Sequence, residues 1–130
     1  MLGRKPAKPK TRKDLGDIAE EHAARYLAAR GYRIRERNFR TRGGEVDIVA
    51  EHHRALVFVE VRARTSSGFM TPLESVTPTK QRRIVRAANT YISTRERRER
   101  VMRYDVVEVL LTPEGRVQKI NVLEGAFQED

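Results

Sequence analysis

The chain has 130 residues, 27 Lys and Arg against 18 Asp and Glu for a net charge of +9, and no cysteine. One domain is the expected content at this length, and the lack of cysteine excludes a disulfide scaffold or a zinc–thiolate site while fitting a reducing compartment. No apolar run approaches the ~20 residues of a membrane span and no signal-peptide core follows the basic start, so the expectation is a cytoplasmic domain with no membrane partner.

Residues 1–13 hold six basic residues and no acid, interrupted by Pro6 and Pro9, and read as a disordered tail. Such a tail can lie along phosphates or serve only for solubility. Asp14 is the expected N-cap of a first helix, with Leu15, Ile18, Ala19, Ala23, Tyr26 and Leu27 at helical spacing and Gly31 as its end. Tyr32–Arg40 alternates weakly, as an edge strand does. After the break at Gly43-Gly44, Glu45–Glu51 alternates cleanly, and a reversal at His52-His53-Arg54 leads into the apolar run Ala55–Arg64, which makes a hairpin. Ser66-Ser67-Gly68 marks a mobile loop from Thr65 to Ser75. Thr77-Pro78 opens a second helix, with Thr as cap and Pro at the first helical position. Its buried stripe is Ile84, Val85, Ala87, Ala88, Tyr91 and Ile92, and Arg82, Arg83 and Arg86 lie on its other face. Arg95–Arg100 is too polar to pack and is expected to fray. Tyr104–Leu111, a turn at Pro113-Glu114-Gly115, and Val117–Leu123 follow. The order is helix, three strands, helix, two strands: one α/β domain over 14–127, with 128–130 as a short C-terminal tail.

The charge is unevenly divided along these elements. Residues 80–103 carry +7, residues 104–130 carry −4, and residues 14–79 are neutral. Within the neutral block the acids cluster on the hairpin. Strand side chains alternate faces, so Val46, Ile48 and Ala50 share one face of its first arm, and Glu45, Asp47, Val49 and Glu51 the other. In the second arm Val57, Val59, Val61 and Ala63 form an apolar face, opposite Leu56, Phe58, Glu60, Arg62 and Arg64. If Glu51 pairs with Leu56, Asp47 stands opposite Glu60 and Glu45 opposite Arg62. Like charges facing one another destabilise a sheet, and a cation between the carboxylates removes the conflict. Mg²⁺ takes one or two carboxylates together with water and phosphate oxygens. The plain alternative is a solvated face laced by Glu45–Arg62, Asp47–Arg64 and Glu60–Arg62 ion pairs, each worth ~0–1 kcal/mol.

Gly43-Gly44-Glu45-Val46-Asp47-Ile48-Val49 followed by Val57-Phe58-Val59-Glu60-Val61-Arg62-Ala63-Arg64 resembles the YraN family of bacterial proteins. The resemblance extends over about residues 15–127. It takes in Gly16, Glu20, Ala23, Tyr26-Leu27 and Gly31-Tyr32, then Asn38-Phe39-Arg40, Val76-Thr77-Pro78 with Lys80, Tyr104-Asp105-Val106-Val107 and Ala126-Phe127. It implies a restriction-endonuclease-like fold of the PD-(D/E)XK group, a small mixed central sheet flanked by helices, in a group that includes Holliday-junction resolvases. By position it makes Asp47 and Glu60 the metal carboxylates and Glu20 the accessory acid; the register adds Glu45 as a further carboxylate for the expected Mg²⁺ or Mn²⁺. Two positions depart from the pattern. Arg62 stands where the nuclease element has Lys, and Met70 where the family usually has Gly.

Arg62 cannot take a proton from water, because guanidinium stays protonated at any physiological pH. It can still hold a phosphate and stabilise charge in the transition state. Lys80 is another source of the missing amine. Arg64, Lys80, Arg82, Arg83 and Arg86 are candidate contacts to a nucleic-acid backbone, or simply a solvated basic face. His52 and His53 read as turn residues, and Asp105 as a structural hydrogen-bonding group. The expected function is a metal-dependent endonuclease on DNA, branched DNA included, with RNA as a further partner and a homodimer as an option. The alternative is a nucleic-acid-binding module on a nuclease fold with weak or no activity, and a protein-interaction domain is a third.

Overall fold

In the computed structural model, which describes residues 8–65, 75–96 and 98–129, helix α1 (Arg12–Ala29) is capped by Thr11. The expected cap, Asp14, is instead the third helical residue. Its carboxylate accepts from the Thr11 backbone N–H at 3.3 Å while the Thr11 hydroxyl accepts from the Asp14 N–H at 3.1 Å. This reciprocal box satisfies two N–H groups that the helix start would leave open. Just before it, Lys10 N–H donates to the Pro113 carbonyl at 2.8 Å. Residues 1–7 of the expected tail lie outside the described residues, as do Ser66-Ser67-Gly68 and Met70 of the Thr65–Ser75 loop.

Strands β1 (Arg33–Thr41), β2 (Gly44–His52) and β3 (Ala55–Arg64) form an antiparallel meander. Helix α2 (Pro78–Arg95) crosses over to β4 (Met102–Leu111), which runs parallel to β3, and β5 (Val117–Phe127) pairs antiparallel with β4. The sheet is mixed, in the order β1-β2-β3-β4-β5. The hairpin register is the expected one, Glu51 opposite Leu56, closed by His52 opposite Ala55. The two turn residues, His53 and Arg54, both have positive φ, 49° and 67°, as the tight hairpin turn matched to strand twist requires.

One helix covers each face. Ala19, Ala23 and Leu27 of α1 pack on Ile48, Ala50, Val57, Val59, Val107 and Val109. Ile84, Ala87, Ala88 and Tyr91 of α2 pack on Phe39, Val46, Val49, Leu56 and Phe58. Val46 therefore departs from the alternation expected of β2. It shares the α2 face with Val49, whereas Ile48 and Ala50 face α1. The reversal occurs at Asp47 and at Asn38, the β1 residue beside it, which lies in the left-handed region at φ 55°. Alanines on both helices allow close approach to the sheet, and α2 comes nearest at Gly44, where a Cβ would overlap the Arg83 carbonyl. Among the described residues no helix is long and apolar enough to cross a membrane.

Candidate metal centre

β2 and β3 stop pairing at Ile48 opposite Val59, one residue before Asp47 and Glu60 would face each other. In the fork that opens, the Asp47 side chain replaces the lost strand partner. Its Oδ2 accepts the Val61 backbone N–H at 2.7 Å. This bond pins the Asp47 carboxylate at the mouth of the fork.

Glu60 lies beside it in a largely desolvated position. Burial, followed by the hydrogen bond and the charge from Asp47, pushes the Glu60 pKa well above the usual 4.5, against the pull of Arg62 and Lys80. Two carboxyl groups thus share a site that accommodates only one full negative charge, as expected for close like-charged acids. The site lies in a cavity of about 260 Å³ lined by Glu45, Asp47, Glu60, Arg62, Lys80, Arg83 and Ile84. Arg62 Nε is buried with no acceptor among the described residues, a donor whose desolvation is left uncompensated. The Lys80 ammonium is destabilised by burial and then by Arg62, which lowers its pKa. Thr77 accepts the Lys80 backbone N–H at 3.3 Å and Pro78 occupies the first helical position, so the cap seen in the sequence is what aims Lys80 at the acids.

Glu20 approaches from α1. Its Oε1 accepts from Asn38 Nδ2 at 2.8 Å and from Arg37 Nη2 at 3.4 Å. Burial and then the charge of Asp47 raise its pKa, so the two acids sense each other. Asn38 and Arg37 are the residues that sequence reading missed. Asn38 adopts the left-handed backbone that Asn tolerates better than most, and this lets adjacent residues of one strand both reach α1. The one available signal was an Asn inside an otherwise β-forming run.

Glu45 lines the cavity and pairs with Arg40 at 3.4 Å. Among the described residues no group of three His, Cys, Asp or Glu is placed to hold a metal; the Asp47–Glu60 pair offers two carboxylates and no third. Two carboxylates fit an Mg²⁺-like ion, whose remaining positions go to water and phosphate. Of the expected backbone contacts, Lys80 and Arg83 border the cavity, and Arg82 and Arg86 are exposed on α2. Arg64 is half-buried and its guanidinium reaches Glu108 of β4 at 2.9 Å. Asp105 is fully buried, accepting from Tyr32, Arg103 and the Gly125 N–H. It is the structural acid the sequence indicated. His52 stacks on Tyr32 at 3.8 Å and accepts from Arg103 at 2.7 Å, so it braces the hairpin end away from the acids.

The model of the Uncharacterised protein family UPF0102 matches residues 19–109, which span both arms of this site. A UPF0102 protein of Moorella thermoacetica is 47% identical over 117 residues, covering 90% of this chain and 98% of the relative. One from Myxococcus xanthus is 42% identical over 123 residues, covering 93% and 94%. A third, from Caldanaerobacter subterraneus, is 40% identical over 117 residues, covering 89% and 96%.

Proposed function

The chain belongs to the UPF0102 family, and from that premise we propose that it is a metal-dependent phosphodiesterase of the restriction-endonuclease-like, PD-(D/E)XK kind, acting on DNA, branched forms included. The observation that carries this reading is the Asp47–Glu60 pair, held together in a desolvated fork at the cost of a raised Glu60 pKa. Sheets avoid such pairs unless something neutralises them. A bound Mg²⁺ or Mn²⁺ would polarise the phosphate and acidify a water at this position. Asp47 and Glu60 would hold the ion. Arg62, with its Nε short of an acceptor, meets a phosphate oxygen and stabilises the charge that builds in the transition state. Lys80 Nζ is the single amine among the described lining residues, and its lowered pKa suits it to receive the proton that Arg62 cannot. Glu20, held by Asn38 and Arg37, adds negative charge beside Asp47. Exposed Arg82, Arg83 and Arg86 supply salt-sensitive affinity for the backbone.

One observation favours a second reading, a nucleic-acid-binding module without strong activity. Arg62 replaces the lysine of the nuclease element and has no proton-accepting form. Lys80→Met separates the two. In the phosphodiesterase reading it lowers Mn²⁺-dependent cleavage by ~10²-fold or more, the range for a lost general base, and leaves binding within a few fold. In the binding-module reading there is no cleavage to lose. The metal site has its own test in Mn²⁺ titration followed by electron paramagnetic resonance. Wild type is expected to bind Mn²⁺ tightly enough to deplete the free-ion signal, and Asp47→Asn to weaken that binding at least tenfold. Equal binding by both would rule out a metal held by this pair.

A further inference from the structure

A wide recess lies at the far end of the sheet from the carboxylates. It has a volume of about 960 Å³ and is formed where β1, the β2–β3 turn and the segment after α2 meet. Five guanidiniums line it, from Arg33, Arg35, Arg54, Arg98 and Arg100, against the carboxylates of Glu51, Glu96 and Glu99. Two of those acids are already oversubscribed. Glu51 takes Arg33, Arg35 (3.5 Å) and Arg100 (2.5 Å), and Glu96 takes Arg35 (2.7 Å) and Arg100 (3.7 Å). Three cations therefore share two anions in a half-buried lattice, and most of their N–H donors find no acceptor among the described residues.

Arg54 and Arg98 add two exposed cations, neither with an ion pair among the described residues. The Arg54 carbonyl accepts Arg100 Nη2 at 3.2 Å, which locks the turn to the lattice. That turn is itself costly. His53 and Arg54 hold positive φ where Asn-Gly would do so with less strain. Residues kept in a disfavoured backbone region are commoner where their side chains are used.

We propose that this recess is a second phosphate-binding cleft, one that holds the backbone of the same nucleic acid at a distance from the carboxylate cavity. The inference rests on the phosphodiester reading above for its ligand. α2 joins the two places: Lys80 and Arg83 border the carboxylate cavity, and Arg98 stands just past the last helical turn. An 18-residue helix is ~27 Å long, less than the ~34 Å of one duplex turn. A single segment of nucleic acid can therefore reach both, passing exposed Arg86 on the way. A guanidinium cluster rather than lysines fits this ligand, since the guanidinium fork matches two phosphate oxygens.

The test is fluorescence anisotropy of a labelled DNA duplex with the full chain in EDTA, over a range of salt, for wild type, Arg54→Ala/Arg98→Ala and Arg116→Ala/Lys119→Ala. Both arginines are exposed and outside the ion-pair lattice, and thermal melting verifies that the double variant folds. The double variant is expected to bind about tenfold more weakly near 0.1 M salt, with a log–log salt slope shallower by ~1.8, about 0.9 for each lost phosphate contact. Arg116→Ala/Lys119→Ala, which removes two exposed charges from outside both places, is expected to keep the wild-type slope. An unchanged slope in the double variant would overturn the cleft. So would displacement of the DNA by micromolar pyrophosphate, which means a small-anion site, or by polyglutamate at equal charge, which means an acidic protein. Because no metal is present, failure here leaves the cleavage reading standing, and absent cleavage leaves the cleft standing.

Discussion

Glu60 is the residue at which stability and the proposed function are set against each other. Its pKa is raised in the folded state, so the folded chain holds a proton there that the unfolded chain releases above about pH 4.5. Between that point and its higher folded pKa the native state binds more protons, and metal-free stability falls as pH rises. Glu60→Gln removes this conflict. It is expected to raise metal-free stability at pH 7 by ~1–3 kcal/mol and to flatten that pH dependence, as read by thermal melting across pH, while abolishing cleavage. His52 has the opposite sign. Burial, then His53 and Arg103, lower its pKa, and Arg103 can only donate, so His52 Nδ1 accepts and the ring is neutral. Its contribution is complete above pH 6.5 and is lost as pH falls through the lowered folded pKa. Against wild type, His52→Gln is expected to lose stability above pH 6.5 and to show a smaller further loss on acidification. An identical pH profile would mean that the Arg103 contact does not set its protonation.

At the scale of elements, the hairpin and α2 were legible because their signals are local. The turn-set register brings Asp47 and Glu60 to neighbouring positions, although pairing ends at Ile48 opposite Val59, and Lys80 follows from a Thr-Pro helix start. The break in alternation at Asn38 and Asp47 was not legible. It arises because the strands separate at the fork and Asp47 bonds to the Val61 N–H, a contact between residues 14 positions apart. Nor was the partner of Arg64, because Glu108 comes alongside only through the parallel β3–β4 pairing. The run after α2 was expected to fray for lack of apolar residues. Glu96 and Arg100 dock it through ion pairs to Arg35 and Glu51 instead, a long-range complementarity invisible in a polar hexapeptide. The tight seat of α2 on Gly44 yields a clear expectation. Gly44→Ala must push Arg83 and its turn of α2 away from the sheet, destabilising the fold by ~1–3 kcal/mol and displacing Lys80 from the acids. Denaturant melting together with cleavage rate measures both effects, and an unchanged midpoint would show that α2 does not bear on Gly44 so closely.

Across the whole molecule, the net charge of +9 resolves into basic surfaces around an acidic fork. α2 carries cations from one end of the sheet to the other, and the acids it faces at Asp47 and Glu60 are the part that simple phosphate binding does not require. Composition alone could show only a basic chain. Pairing Asp47 with Glu60 needed the register, and recognising how buried that pair is needed the fold. Hydrolysis of phosphodiesters at this fork is what we propose, and Mn²⁺-dependent cleavage of a panel of branched, flapped, single-stranded and duplex DNA by wild type and Asp47→Asn tests it. Wild type is expected to cut at least one substrate and Asp47→Asn to be slower by at least ~10²-fold, the scale on which loss of a charge-stabilising group acts. Cleavage of none of them, or equal cleavage by both proteins, would contradict it.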